Sequence, residues 1–199
     1  MFKMEKLQVK DNKIVNSKGK EIILKGININ SPCILKYEEN HDFLNDIKEI
    51  KKLGANAIRV PICPAYFLSK KNYCKEILDP IVSLCNDLKL YCIILYHGQG
   101  NPLKKLVREP NMLINGYRKY DADAENMKKS VEILAKRYGS ENHVLFEPTS
   151  AYFLEVTKND WETFSKTLIE IIRKYSNNII ITAAIGWPQN LEFALDYKS

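Results

Sequence analysis

The residues best placed to do chemistry follow a short apolar run in the second half of the chain. Val144, Leu145 and Phe146 predict a buried strand, and Glu147 comes directly after them. Successive strand side chains alternate between two faces, so Glu147 shares its face with positions 149 and 151 and is expected to point into the protein interior. A carboxyl group in such a place can transfer a proton in catalysis, or it can pair with a buried cation.

The elements that would position Glu147 alternate between strand and helix. A hairpin over residues 7–15 precedes strand patterns at 22–28, 57–61, 90–96, 144–146 and 179–184, and helix patterns at 43–53, 79–88, 127–138 and 159–175 lie between them. This order predicts an α/β protein with a parallel sheet. A doubly wound sheet normally has a glycine-rich turn after its first strand, and residues 26–32, GININSP, are not such a turn. We therefore predict one domain over residues 1–199, a partial TIM (β/α)8 barrel with about five parallel strands, four helices and an N-terminal β-hairpin.

The composition argues against several other classes of protein. The net charge is +6, but the lysines alternate with acids on helix faces, so no nucleic-acid partner is expected. The five cysteines show no CxxC spacing, which favours buried thiols over a zinc site or a disulfide framework, and no metal or cofactor is predicted. No apolar run reaches the roughly 20 residues of a membrane span. The N-terminus as written has no secretory signal, which predicts a cytoplasmic protein without membrane contact.

Four segments together resemble glycoside hydrolase family 5, the cellulase and mannanase family. Residues 14–28 are similar to its opening hairpin and first strand, and residues 46–61 to its helix followed by the pattern GxNxxRxP. Residues 137–152, RYGSENHVLFEPTSAY, are similar to its fourth strand, and residues 161–187 to the segment that follows. The resemblance covers nearly the whole chain and implies a β-linked glucan or mannan oligosaccharide as partner. Because a complete barrel usually takes about 250 residues, the chain resembles the N-terminal portion, through strand five.

The resemblance also assigns roles to individual residues. Arg59 matches an arginine that lies beside the family's nucleophile, and His97 matches a histidine that lines a sugar subsite. Trp187 matches a position where an aromatic ring can stack on a sugar face. Tyr96 and Ser150 occupy two further positions that the resemblance implies are substrate-binding.

The two catalytic carboxyl groups of the family have no match in this alignment. Laid on without gaps, the family's Asn–Glu–Pro falls on Ser150, Ala151 and Tyr152, so an alanine stands where the family has its acid/base. The nucleophile belongs to strand seven, which the five predicted strands do not include. A three-residue deletion would instead make Glu147 the acid. As a further alternative, Arg59 pairs with Glu147 inside the barrel as a structural ion pair.

Three hypotheses stay open at this point. The first is a truncated family 5 β-glycanase derivative with impaired catalysis that retains contact with polysaccharide. The second is a non-enzymatic half-barrel that docks through its open sheet edge onto a partner or onto a second copy of itself. The third is a working glycosidase that uses Glu147 together with a nucleophile supplied by a partner.

Overall fold

The computed structural model describes residues 3–98, 100–107, 123–149 and 155–183. It begins with the hairpin, in which β1 (Gln8–Lys10) and β2 (Lys13–Val15) pair antiparallel with Val9 opposite Ile14. The turn places Asp11 at φ 55°, a left-handed conformation that Asp adopts more readily than most residues. The predicted hairpin is confirmed.

Parallel strands form the central sheet. The strands after the hairpin are β3 (Gly26–Asn28), β4 (Ala57–Ile62), β5 (Tyr91–Tyr96), β6 (Gly100–Asn101), β7 (Leu106–Val107) and β8 (Val144–Glu147). In the described ranges, the sheet has the order β3–β4–β5–β8, with every pair parallel, and β6 and β7 form a small antiparallel pair of their own. The α/β class and the parallel sheet predicted from the sequence are confirmed.

Six α-helices are present in the described part of the chain. They are α1 (Pro32–Tyr37), α2 (Phe43–Lys52), α3 (Pro64–Ser69), α4 (Asp79–Leu88), α5 (Ala124–Tyr138) and α6 (Lys158–Arg173). Helices α2, α4, α5 and α6 are the four that the sequence predicts. A π-helical turn, Cys74–Leu78, runs directly into α4, so that helical segment begins earlier than predicted. None of the six is long and apolar enough to cross a membrane.

The sheet separates two apolar layers. On β5, Cys92, Ile94 and Tyr96 pack with helix residues in the main core. Tyr91 and Ile93 lie on the opposite face, in a smaller cluster that includes Leu7 from the N-terminal segment. We call this second face the interior face, because it corresponds to the inside of the predicted barrel. Burial on both faces explains why the strand sequences are almost continuously apolar.

Two strand predictions differ from the structure. The sequence predicts a buried strand over residues 22–28, but only Gly26–Asn28 is a strand, and Ile27 is 45% exposed. In the described part of the chain this strand is at the edge of the sheet, so it has a neighbouring strand on one side only. The predicted fifth strand, residues 179–184, is described as far as residue 183 and makes a single parallel bridge, between Ile180 and Phe146. It therefore lies beside β8 in the expected direction without an extended ladder.

Gly139 ends α5 where two backbone segments approach closely. A Cβ atom at this position would lie 2.6 Å from the carbonyl oxygen of Tyr175. We expect Gly139→Ala to lower the free energy of unfolding, measured by urea denaturation, by about 1–3 kcal/mol through overpacking. Ser140→Ala, at the exposed next residue, is the control and should change it by less than about 0.5 kcal/mol. Equal stability of the two variants would contradict this close approach.

Candidate functional site

The side chains of Arg59 and Glu147 meet on the interior face of the sheet. Arg59 Nε donates to Glu147 Oε2 at 2.6 Å, and Nη2 donates to Oε1 at 2.7 Å, which makes a two-pronged ion pair. The side chain of Glu147 is 8% exposed and that of Arg59 is 36% exposed. The structure therefore contains the pairing that the sequence raised as an alternative for Arg59.

The strand register explains why these two side chains meet. Arg59 is opposite Ile93 of β5, and Glu147 is opposite Leu95, two residues farther along the same strand. Residues that are paired across a sheet, or two apart along a strand, project from the same face. Arg59 and Glu147 therefore share the interior face, and the guanidinium reaches the carboxylate across β5.

Asn28 completes the contacts of this guanidinium. Arg59 Nη1 donates to Asn28 Oδ1 at 3.0 Å, and Asn28 is the register partner of Arg59 on β3. Arg59 thus binds side chains from strands on both sides of its own. Asn28 was not among the site residues predicted from the sequence. Its position in the sequence could have identified it. Asn28 is the last residue of the first parallel strand, and its polar side chain lies on the same interior face as Arg59.

His97 follows β5 at the same end of the sheet. Its backbone N–H donates to the Ile62 carbonyl at 3.1 Å, which extends the pairing of β4 and β5 by one residue. The side chain is half-buried, and strand alternation puts it on the face of Leu95. His97 and Arg59 are therefore carried by neighbouring strands and face the same interior. The carboxyl ends of barrel strands are where ligands bind in this architecture.

The other predicted site residues differ in their placement. Tyr96 has no exposed surface and packs in the main core, on the face opposite to His97. This position does not fit the prediction that Tyr96 contacts substrate, because strand alternation turns its ring towards the helices. Ser150 and Trp187 lie outside the described residues, as does Ala151.

Arg137 and Tyr138, the first residues of the family-like segment 137–152, bind the carboxylate of Asp79. Arg137 Nε and the Tyr138 hydroxyl each donate to Asp79 Oδ1 at 2.7 Å, and Arg137 Nη2 donates to Oδ2. The guanidinium contacts lower the pKa of Asp79, and burial raises the pKa of Tyr138. This network joins α5 to α4 and is separate from the Arg59–Glu147 pair, so the family-like Arg-Tyr pattern here has a structural role.

Comparison with known proteins settles the family. The family model described as Cellulase (glycosyl hydrolase family 5) matches residues 15–199. The chain belongs to glycosyl hydrolase family 5. No curated protein matches it at a significant level.

Solved structures of glucanases and mannanases have the same fold as this family 5 chain. The β-glucanase SdGluc5_26A from Saccharophagus degradans, in complex with cellotetraose, matches with a TM-score of 0.82 and 23% identity over 98% of this chain. The catalytic domain of the Thermobifida fusca endoglucanase Cel5A matches with a TM-score of 0.70 and 16% identity over 96% of it. The β-mannanase from Streptomyces thermolilacinus with mannohexaose matches with a TM-score of 0.68 and 14% identity over 95%. The predicted partial TIM barrel is thereby confirmed.

The chain spans only part of each of these structures. It covers 59% of the Saccharophagus β-glucanase, 57% of the Thermobifida endoglucanase and 56% of the Streptomyces β-mannanase. The ion pair of Arg59 and Glu147 therefore belongs to the segment of a family 5 barrel that this chain provides.

Removal of either member of the ion pair should destabilise the protein. Arg59→Met leaves the nearly buried Glu147 carboxylate without its cation. We expect the free energy of unfolding, measured in urea at neutral pH, to fall by roughly 2 kcal/mol, less than for a fully buried pair because Arg59 is partly exposed. The double variant Arg59→Met/Glu147→Leu should recover most of this loss, since it removes both charges.

The matched control for this experiment is an ion pair on the surface. Lys13 and Glu21 are 2.7 Å apart, with side chains 55% and 49% exposed. Lys13→Met should change stability by less than about 0.5 kcal/mol. If Arg59→Met costs no more than Lys13→Met, the ion pair does not stabilise the sheet.

Proposed function

We propose that this chain is a β-glycan-binding member of family 5 whose own hydrolytic activity is impaired, and that residues 1–199 act as one domain. The observation that carries the proposal is the position of Glu147. This residue is the carboxylate that the described part of the chain provides at the end of β8, and both of its oxygens accept hydrogen bonds from Arg59. The position of the family's acid/base, in the ungapped alignment, is Ala151.

The chemistry of retaining glycosidases supports the proposed impairment. The mechanism needs two carboxyl groups about 5–5.5 Å apart, one as nucleophile and one as acid/base. A carboxylate that accepts from a guanidinium with both oxygens has no proton to donate to a leaving group. Loss of general acid catalysis alone lowers a rate by about 10²–10⁴-fold. In this proposal Glu147 is a structural partner of Arg59, and it does not transfer protons.

The proposed ligands are β-linked glucan or mannan oligosaccharides. Two of the similar structures hold cellotetraose and mannohexaose, and their fold is the fold of this chain. We propose that Arg59, His97, Ser150 and Trp187 contact the sugar, from the carboxyl ends of the strands or the segments that follow them. Tyr96 is not included because it is buried among helix residues. The proposal invokes no cofactor.

Calorimetric titration with cellotetraose and mannotetraose tests the proposed binding. We expect the chain to bind at least one of them and Trp187→Ala to bind it roughly 5-fold more weakly, because stacking of a sugar on an aromatic ring is worth about 1 kcal/mol. Tyr175→Ala is the matched control, since Tyr175 is an exposed aromatic residue just after α6 whose hydroxyl binds Glu132 on the outer helices. Absence of binding to both sugars, in a chain shown to be folded by circular dichroism, would refute this function.

The same sugars, incubated with the chain and analysed for shorter products, test the impairment. No hydrolysis is expected from the chain or from Glu147→Gln. Hydrolysis by the chain that disappears in a folded Glu147→Gln variant and is restored by external nucleophiles would instead identify Glu147 as the acid and support the third hypothesis.

A second candidate function is that of an interaction module, and the edge of the sheet favours it. Ile23 is 66% exposed and Ile27 is 45% exposed, both at or beside the outermost strand β3. Ile27 is in register with Ile58, which faces the helices, so Ile27 would be covered in a sheet that continued past β3. An apolar edge of this kind can pair with another strand.

Mass measurement as a function of concentration tests this second function. If the β3 edge mediates self-association, the average mass from sedimentation should rise with concentration, and Ile27→Lys should shift the association to at least about 10-fold higher concentration by placing a charge on the edge. Ile133→Lys, at a 37% exposed position on α5, is the control. A monomer at all concentrations leaves the edge without a self-association role.

A further inference from the structure

The N-terminal segment, residues 3–25, lies across the amino ends of the parallel strands. The hydroxyl of Tyr91, the first residue of β5, donates to the Glu5 carbonyl at 3.2 Å. The backbone N–H of Asn56, which immediately precedes β4, donates to the Lys25 carbonyl at 2.9 Å. Because the strands are parallel, their amino ends lie together at one end of the sheet, and the carboxyl ends, where ligands bind in this architecture, lie at the other.

The end of α2 lies on the same side of the protein as this segment. Leu53 directly follows α2, and Asn56 comes three residues later. Asn56 Nδ2 donates to the Ile23 carbonyl at 2.8 Å, which joins the connection between α2 and β4 to the N-terminal segment. We call the surface formed by residues 3–25 and 51–56 the amino-end face.

The amino-end face carries most of the net positive charge of the chain. Residues 3–25 contain seven lysines and three acidic residues, so four of the chain's six net positive charges lie in this segment. Lys13 and Lys18 form ion pairs with nearby acids. Within the described residues the other five form no ion pair: Lys3, Lys6, Lys10, Lys20 and Lys25. The segments that follow β3 and β4 at the other end of the sheet, residues 29–42 and 63–76, contain four lysines and four acids, so the positive charge is concentrated at the amino ends.

Three apolar side chains on the amino-end face are exposed to solvent. Val9 is 64% exposed, Ile23 is 66% exposed and Leu53 is 79% exposed. These are the three most exposed large hydrophobic residues in the part of the chain that the structure describes. Each lies within two residues of a lysine, namely Lys10, Lys25 and Lys52. Single exposed apolar residues are ordinary on a protein surface, but here the most exposed ones are gathered on the face that is rich in lysine.

We propose that the amino-end face docks onto lipid bilayers that contain anionic phospholipids. A lysine-rich surface is attracted to the phosphate and carboxylate groups of anionic headgroups, and apolar side chains beside the lysines insert at the boundary with the acyl chains. A soluble polyanion would use the lysines alone and would leave Val9, Ile23 and Leu53 in water. The bilayer is therefore the partner that uses both features of this face.

This docking needs no membrane-spanning segment. The sequence predicts no membrane contact because it lacks an apolar run long enough to cross a bilayer, and that lack bears only on spanning segments. A surface contact uses side chains at the level of the headgroups. Because the carboxyl ends of the strands lie at the other end of the sheet, a docked chain would turn the candidate site away from the bilayer. The inference is independent of whether the chain binds glycans.

Sedimentation of the full chain with lipid vesicles tests the proposal. We expect the chain to bind vesicles of phosphatidylcholine with one third phosphatidylserine at least about 10-fold more tightly than vesicles of phosphatidylcholine alone. High salt should release the bound chain, because it screens the attraction between lysines and headgroups. Equal binding to both kinds of vesicle would overturn the proposal. So would absence of binding to the phosphatidylserine vesicles by a chain shown to be folded by circular dichroism.

Two pairs of lysine variants test whether the charge acts from the amino-end face. Lys10→Gln/Lys25→Gln should weaken binding to the phosphatidylserine vesicles roughly 25-fold, since each lysine near an anionic surface contributes about 5-fold. Lys71→Gln/Lys166→Gln is the matched control, because it removes the same charge at two exposed positions outside this face, and it should weaken binding by less than about 2-fold. Equal weakening by the two pairs would mean that binding follows net charge alone, and would overturn the proposal.

Removal of the apolar side chains separates a bilayer from a soluble polyanion as the partner. Ile23→Ser/Leu53→Ser should weaken binding to the phosphatidylserine vesicles at least about 5-fold, because the serines cannot insert among the lipids. Ile133→Ser, at a 37% exposed position on α5, is the control and should leave vesicle binding unchanged. Vesicle binding that Ile23→Ser/Leu53→Ser does not weaken, together with tight binding of heparin, would assign this face to soluble polyanions and overturn the proposal.

Discussion

The arrangement of this barrel segment depends on the guanidinium of Arg59. A charged group on the interior face of a sheet is stable only when its hydrogen-bonding groups are satisfied, because the cost of taking it out of water is large. Arg59 meets this condition with Glu147 from β8 and Asn28 from β3. One side chain on β4 therefore connects strands on both of its sides, and β5 is held between them. Below this polar layer the interior face is apolar, with Tyr91 and Leu145 packed against Leu7.

The Arg59–Glu147 ion pair has a role in the fold that does not depend on catalysis. Glu147 is the last residue of β8, and its side chain stabilises the sheet through Arg59. In the ungapped alignment the family's acid/base falls on Ala151, four residues later in the chain. An alanine there takes no contact away from the ion pair. Under the proposed function, the family 5 fold persists without the acid because the residues that hold the strands together are not the residues that would transfer the proton.

Prediction from the sequence succeeded where the physical signal is local. Alternating strands and helices predicted the parallel sheet, and alternation along β8 placed Glu147 on the interior face, where it pairs with Arg59. Neither the edge position of β3 nor the short helices α1 and α3 was predicted, because the exposure of a strand depends on neighbours that are distant in sequence. The alternation that puts Glu147 on the interior face puts Tyr96 on the helix side of β5, where its ring packs in the main core.

The two candidate functions, glycan binding and strand addition, both use the β3 side of the sheet. The Arg59 side chain is 36% exposed and contacts Asn28 of β3, whose three residues are all exposed, whereas Glu147 at the other end of the ion pair is nearly buried. A ligand that approaches the interior face from this side meets the guanidinium edge and the Asn28 amide, which are polar groups suited to hydroxyl groups of a sugar. A polypeptide that added a strand to β3 would cover the same groups and the apolar Ile27 side chain. Glycan binding and strand addition are therefore expected to compete, because both use the open side of a single edge strand.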